Sequence, residues 1–220
     1  MAKPRRGKFI VFEGGEGAGK TTLAQWLAKE YGERTKNGMF LTKEPGGDMD
    51  ICKRIRELLL DPQYRGRFSP RAELLGFEMD RAQHVDLTIK PALERGITVI
   101  CDRFEASTYA YQCGARGVCG WDLFQSINSF ATRGLRPDLT FWIDVDPEIG
   151  LWRKQADERN RFEAEEIEFH RALRRGFEGF FAMHERTWPA YPVVKLKGEM
   201  PLKILKNAVL VTTEEHHLFS

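Results

Sequence analysis

The residues most able to do chemistry stand near the amino terminus. Gly14, Gly15, Glu16, Gly17, Ala18, Gly19, Lys20 and Thr21 fit the pattern G-x-x-x-x-G-K-[ST]. Each part suits the holding of a polyphosphate. The glycines allow a tight loop whose backbone N–H groups turn inward toward phosphate oxygens. Lys20 reaches the β- and γ-phosphates, and the Thr21 hydroxyl faces Mg²⁺. The helix that follows must point its positive end at the same anion. This loop takes a nucleoside triphosphate. By itself it leaves three classes open: a small-molecule kinase, a hydrolysing switch or motor, and a nucleotide-gated binding protein.

Three more clusters bear on what receives the phosphate. Thr42-Lys43-Glu44-Pro45-Gly46-Gly47 is a polar turn. Phe77 and Arg81 lie four residues apart and so share a helix face. A ring beside a guanidinium donor suits a planar base with a carbonyl edge. Asp102 and Arg103 open a third cluster that continues through Ser107, Thr108, Tyr111 and Gln112. The Arg103 fork is able to bind phosphate through two N–H groups, and Asp102 either orients hydrated magnesium or holds Arg103. Farther on, Arg153, Lys154, Arg159 and Arg161 concentrate positive charge within residues 152–163.

These clusters need elements that bring them together. Apolar runs at 8–12, 38–42, 97–101, 139–145 and 192–196 read as five strands, continuous as strands buried on both faces should be. Helical patterns alternate with them. One runs from Thr21 to about Lys36, and another recurs at Ile51, Ile55, Leu58 and Leu59. A third starts at Ser69-Pro70, as cap and first-turn residue, is disturbed near Pro91 and stops at Gly96. A charged helical region spans about Pro147 to Arg186. Alternation of this kind implies an α/β fold with a parallel sheet covered by helices on both faces. Sites in such sheets lie at the carboxyl ends of the strands, where the motifs fall. No repeat or linker interrupts the chain, so 1–220 reads as one domain, with a frayed tail over 212–220.

The composition excludes several functions. The chain has 220 residues, 42% of them hydrophobic, enough to bury a core without staples. Lys and Arg total 34 against 32 acidic residues, a net charge of +2, which gives no uniform field for nucleic acid or anionic membrane. No apolar run approaches the ~20 residues of a membrane span. The basic start is followed only by Phe9-Ile-Val-Phe12, too short for a signal peptide. Cys52, Cys101, Cys113 and Cys119 have no zinc or C-x-x-C spacing, so reduced thiols in a cytoplasmic protein are expected.

Taken together and in order, the motifs resemble those of the thymidylate kinase (dTMP kinase) family. That family reads F-E-G-x-[ED]-G-[AS]-G-K-[ST]-T, then T-R-E-P-G-G, a helix with F-x-x-x-R, and D-R-[YFH]-x-x-S-[TN]-x-A-Y-Q. The matching segments cover about residues 8–163. The resemblance implies a P-loop nucleoside monophosphate kinase fold using ATP and Mg²⁺ to phosphorylate dTMP, commonly as a homodimer. It implies that Thr22 joins residues 14–21 around the ATP phosphates, and that Thr21 and Asp102 face the metal. It implies a dTMP pocket of Glu16, Lys43, Glu44, Pro45, Arg56, Phe77, Arg81, Arg103, Ser107, Thr108, Tyr111 and Gln112. Phe77 would stack on thymine, Arg81 would bond its O4, Thr108 would contact its edge, and Tyr111 would exclude a ribose. Lys43 stands where the family usually has Arg, and Asp48 where Thr is common.

Some members carry arginine within the loop at the place of Gly17, which this chain lacks. Charge that builds during phosphoryl transfer must then meet a cation from elsewhere. The resemblance points to a lid over 152–163, with Lys20, Arg103, Arg153, Arg159 and Arg161 as the catalytic cations. A kinase for another nucleoside monophosphate is the alternative reading, and a nucleotide-gated switch a remoter one.

Overall fold

The core is laid down by strands whose two faces are both apolar. In β1 (Phe9–Gly14), Phe9 and Val11 point to one side while Ile10 and Phe12 point to the other, and all four are buried. The structure is a computed structural model that describes residues 5–32, 38–154, 160–216 and 218. β1 is followed by α1 (Lys20–Gly32), β2 (Met39–Lys43), α2 (Asp50–Leu60) and α3 (Pro70–His84). A π-helical turn at 85–89 leads into α4 (Lys90–Glu94) and β3 (Thr98–Asp102). Next come α5 (Glu105–Thr108), a second π-helical stretch at 109–115, α6 (Trp121–Thr132) and β4 (Leu139–Asp144). The chain continues through α7 (Pro147–Arg153), α8 (Ile167–Thr187), β5 (Val193–Lys197) and α9 (Leu202–Glu215).

The five strands form one sheet in the order β2-β3-β1-β4-β5, with every pairing parallel. Ile10, Phe12, Ile100, Phe141 and Ile143 pack on one face against Leu23 and Leu27 of α1 and Val209 of α9. Phe9, Val11, Val99 and Cys101 pack on the other against Val85, Ile89, Leu93 and Phe104. A third cluster sets α8, through Leu173, Phe177 and Phe180, against Ala110, Tyr111, Phe124 and Trp142. The expected strands match within one or two residues, and both helix starts read from sequence are observed. Ser69 caps α3 by accepting from the Ala72 N–H at 3.3 Å. The residues expected to end the first helix, 33–36, lie outside the described residues.

The carboxyl end of the chain differs from expectation. Instead of fraying from Thr212, α9 runs to Glu215, Thr213 is buried, and Leu218 joins the core beneath α1. The Tyr31 hydroxyl donates to Glu214 at 3.2 Å, which ties α1 to α9. The charged region after β4 also divides into α7 and α8. Among the described residues, no helix is long and apolar enough to cross a membrane.

Candidate active site

β1, β2, β3 and β4 end on the same edge of the sheet, and the motifs meet there around a cavity of about 660 Å³. This is a volume suited to nucleotide-sized ligands. The loop between β1 and α1 forms its floor. Residues 16–22 line it directly. Gly14 and Gly15 lie just beneath: the Gly14 carbonyl accepts from Arg103 Nη1 at 2.9 Å, and the Gly15 carbonyl from Lys20 Nζ at 2.6 Å. Burial and the nearby Arg103 pull the Lys20 ammonium down to about 8, while Glu16, Asp102 and Glu13 pull it back up.

Arg103 is the hub of the site. It follows β3 directly and adopts a left-handed backbone (φ 76°), unusual for a residue with a side chain. Its amide donates to the Phe12 carbonyl at 2.9 Å, which holds it beside the phosphate loop. Its guanidinium donates to Gly14, to Ser107 Oγ at 3.1 Å and to Glu16 at 2.9 Å, and lies over the Tyr111 ring at 5.3 Å. The Tyr111 hydroxyl donates to the same Glu16 oxygen. Burial alone would raise the Glu16 carboxyl, but Arg103, Lys20 and the Tyr111 hydroxyl hold it at about 2. Behind them, Glu13 accepts from the amides of Phe104 and Ser107 at 2.8 and 3.2 Å, fixing the turn after Arg103.

The residues expected to face the metal adjoin one another. The Thr21 hydroxyl donates to Asp102, whose other oxygen, Oδ1, is buried with no hydrogen-bond partner. Two oxygen donors of this kind beside a phosphate loop fit Mg²⁺, which prefers a carboxylate or two together with phosphate oxygens.

At the far end, α3 brings Phe77 and Arg81 to the cavity wall. Arg81 is 2% exposed. It donates to Glu44 at 2.9 Å, Glu78 at 2.7 Å, Asn128 at 3.2 Å and Thr108 at 2.8 Å. These bonds leave one Nη2 hydrogen for a ligand. Gln112 donates to Glu73 at 2.9 Å, and its Oε1 is a buried acceptor without a partner. Arg56 rests on the Gly46 turn and donates to the Pro45 carbonyl at 2.6 Å. Lys43 ends β2 opposite Asp102 and is exposed at the rim. Glu44, Pro45, Ser107, Thr108 and Tyr111 complete the wall. The structure thus gathers every residue expected around dTMP into one cavity.

The lid cations separate. Arg153, the last residue of α7, lines the cavity and donates to the Gly17 and Gly198 carbonyls at 3.3 and 3.0 Å. Arg159 lies outside the described residues. Arg161 departs from expectation. It is 2% exposed, turned away from the cavity, ion-paired with Glu73 at 2.5 Å, hydrogen-bonded to the Leu59 carbonyl and stacked 4.1 Å from Phe162. Its charge is spent on holding the segment to α2 and α3. Sequence reasoning also missed Glu73 and Asn128, buried partners of Gln112 and Arg81 that lie far away in the chain, and Glu78, whose i,i+3 spacing to Arg81 on α3 was a readable signal. It missed Met200, Leu202 and Leu205 as well, which line the cavity near Gly198.

Comparison with known proteins agrees with this arrangement. The family model described as thymidylate kinase matches residues 12–190. A thymidylate kinase of Carboxydothermus hydrogenoformans is 49% identical over 173 residues, covering 78% of this chain and 83% of the relative. That of Acaryochloris marina is 46% identical over 198 residues, covering 81% and 85%. That of Lactobacillus acidophilus is 38% identical over 217 residues, covering 92% and 99%. With a match of this extent and the site so assembled, the chain belongs to the thymidylate kinase family.

Proposed function

We propose that this protein transfers the γ-phosphate of ATP to dTMP, giving ADP and dTDP. The observation that carries the reading is the single cavity joining Lys20 and Thr21 to Phe77, Arg81 and Gln112, with Arg103 between them. A donor phosphate on the loop and an acceptor phosphate at Arg103 are then neighbours. Transfer needs no covalent enzyme intermediate, because placing the two phosphates in line and neutralising their charge accounts for the rate.

The far wall supports thymine as the base. The remaining Arg81 hydrogen is a donor for O4, and the unpartnered Gln112 Oε1 an acceptor for N3–H. Cytosine presents the opposite pair, an amino donor and a bare ring nitrogen, and would leave both protein groups unpaired at roughly 1–3 kcal/mol each. Phe77 supplies a face for the ring. Tyr111, held by Glu16 and packed 5.2 Å from Phe162, supplies a rigid wall for the sugar. Arg103 and Arg56 take the dTMP phosphate, with Lys43 at the rim. Thr21 and Asp102 would hold Mg²⁺, which when bound neutralises the β- and γ-phosphate oxygens. Arg153 is the cation that meets charge on the transferring group.

Two stripes of exposed apolar residues on neighbouring helices, Leu75 and Met79 of α3 and Leu123 and Phe130 of α6, support a homodimer; Phe130 is 87% exposed. The four free cysteines support a cytoplasmic setting. A coupled ADP-release assay with dTMP, dUMP, dCMP, thymidine ribonucleotide and no acceptor tests the activity. Turnover that depends on dTMP and is weakest with dCMP is expected. Equal ATP hydrolysis without acceptor would overturn the proposal. Sedimentation equilibrium of the wild type and Phe130→Glu tests the dimer.

A further inference from the structure

Two glycines far apart in sequence meet backbone to backbone beside the cavity. A Cβ on Gly17 of the phosphate loop would lie 2.0 Å from the Gly150 carbonyl oxygen, and one on Gly150 would lie 2.2 Å from the Glu16 carbonyl oxygen. Neither distance is tolerable, and both obstacles are main chain. Gly17 also has a left-handed backbone (φ 63°). No side chain, and so no cation, fits on the loop at position 17 while α7 stays where it is.

The same contact fixes where α7 sits. Asp146 caps this helix by accepting from the Glu148 N–H at 2.9 Å, and the Gly150 N–H donates to the Asp146 carbonyl at 2.9 Å. Arg153 follows Gly150 by about one turn, on the same side of the helix. Its guanidinium reaches back to the Gly17 carbonyl and across to Gly198. Gly198 is itself held, its amide donating to the Asp144 carbonyl at 2.6 Å. The arginine thus arrives at the loop because the backbone one turn before it lies directly on the loop.

We propose that Gly150 is a positioning residue for phosphoryl transfer: its bare backbone seats α7 on the phosphate loop at Gly17, and this seat aims Arg153 at the transferring phosphate. The proposal rests on the reading of Arg153 as the transfer cation. A methyl group at position 150 must push α7 away from Glu16 by an ångström or more. A misplacement of about 1 Å at a catalytic group costs up to 10²-fold in rate. The loss should fall on kcat, since the dTMP wall lies at the other end of the cavity.

The test is a double-mutant cycle of Gly150→Ala and Arg153→Ala, measuring kcat, KM for dTMP and thermal midpoint. Gly150→Ala is expected to lower kcat about tenfold or more with KM for dTMP within about twofold. In the Arg153→Ala background the same change should cost less than about twofold, because the group it aims is gone. Wild-type kcat in Gly150→Ala, or the same fold-loss in both backgrounds, overturns the proposal. Wild-type kcat in Arg153→Ala overturns instead the reading of Arg153 beneath it. Should Gly150→Ala fail to fold, hydrogen exchange on the unmodified nucleotide-free protein decides. Amides of 148–153 protected like those of α1 support the seat, and exchange as fast as in an open peptide overturns it.

Discussion

Replacing Arg161 by Ala separates a structural cation from a catalytic one. Its guanidinium is buried and faces Glu73, which is also 2% exposed. Removing one member of such a pair leaves an uncompensated charge, at about 3–5 kcal/mol. Glu73 would keep Arg116 at 3.1 Å and Gln112 at 2.9 Å, so the lower end, about 3 kcal/mol, applies. The lost stacking on Phe162 and Phe68 lies within that figure. For a chain of this size, about 3 kcal/mol corresponds to a fall in Tm of roughly 6–12 °C. Turnover of the folded enzyme at low temperature should change less than about threefold, since no Arg161 atom faces the cavity. Calorimetry and steady-state kinetics on the same preparation measure both quantities. Arg161→Met combined with Glu73→Gln, which removes both charges, should recover most of the lost Tm. A kcat loss of a hundredfold with Tm shifted less than about 2 °C would refute this reasoning and return Arg161 to the catalytic set.

Burial and Arg103 pull Lys20 down to about 8, and phosphates beside it must raise it again, so ATP binding takes up a proton above that pH. Titration calorimetry in buffers of different ionisation enthalpy should show uptake approaching one proton near pH 9, with affinity falling up to about tenfold per pH unit; no uptake would refute it. Burial and Arg136 pull His184 down to about 4, below its usual value, so the unfolded chain binds more protons as pH falls from about 6.5 to 4. The contribution of His184 to stability should therefore be lost across that window, opposite in sign to the raised carboxyls of Glu78 and Asp80, and a urea-denaturation profile of wild type minus His184→Gln should show that loss alone. Tyr111→Ala should improve the relative kcat/KM for thymidine ribonucleotide, and Tyr111→Phe should not, because the proposed exclusion is by the ring; unchanged discrimination in the Ala variant would remove Tyr111 from the sugar wall.

Much of this arrangement was legible in the sequence. The five strands are continuous apolar runs because both faces of the sheet are covered, and a run of that kind has readable ends. The phosphate loop and the turn at Arg103 are legible because their chemistry is consecutive in the chain. Arg161 was not. Its neighbours suggest a charged lid, and only the fold brings Glu73, Leu59 and Phe68 around it. The carboxyl end misleads for a similar reason. Thr212-Thr-Glu-Glu-His-His looks like solvated chain, yet Thr213 is buried with its hydroxyl donating to the Leu210 carbonyl, and Leu218 joins the apolar cluster that includes Leu23 and Leu27 of α1 and Val209 of α9. Nor does spacing reveal that Gly17 and Gly150 touch. Glycine in a loop motif is explained well enough by the loop, and nothing local marks a second reason.

The charge balance of the site suggests why its acids are buried alongside its cations. Lys20, Arg103 and Arg56 share one cavity, and each lowers the proton affinity of a neighbour or has its own lowered by one. Left alone they would repel one another and drift toward water. Glu16 counters this by staying ionised in spite of its burial, and in doing so it holds Arg103 from one side while Gly14 and Ser107 hold it from another. An incoming phosphate then meets an arginine that is already oriented and partly neutralised. The cost is weaker ground-state binding, because Glu16 repels the anion. The gain comes later, since no donor has to turn when negative charge builds on the transferring group. Interactions that strengthen only at that moment raise kcat, whereas tighter binding of the substrate would not. Glu16→Gln should therefore bind dTMP more tightly and turn it over more slowly. Parallel losses in both would mean that the carboxylate serves only to hold the loop together.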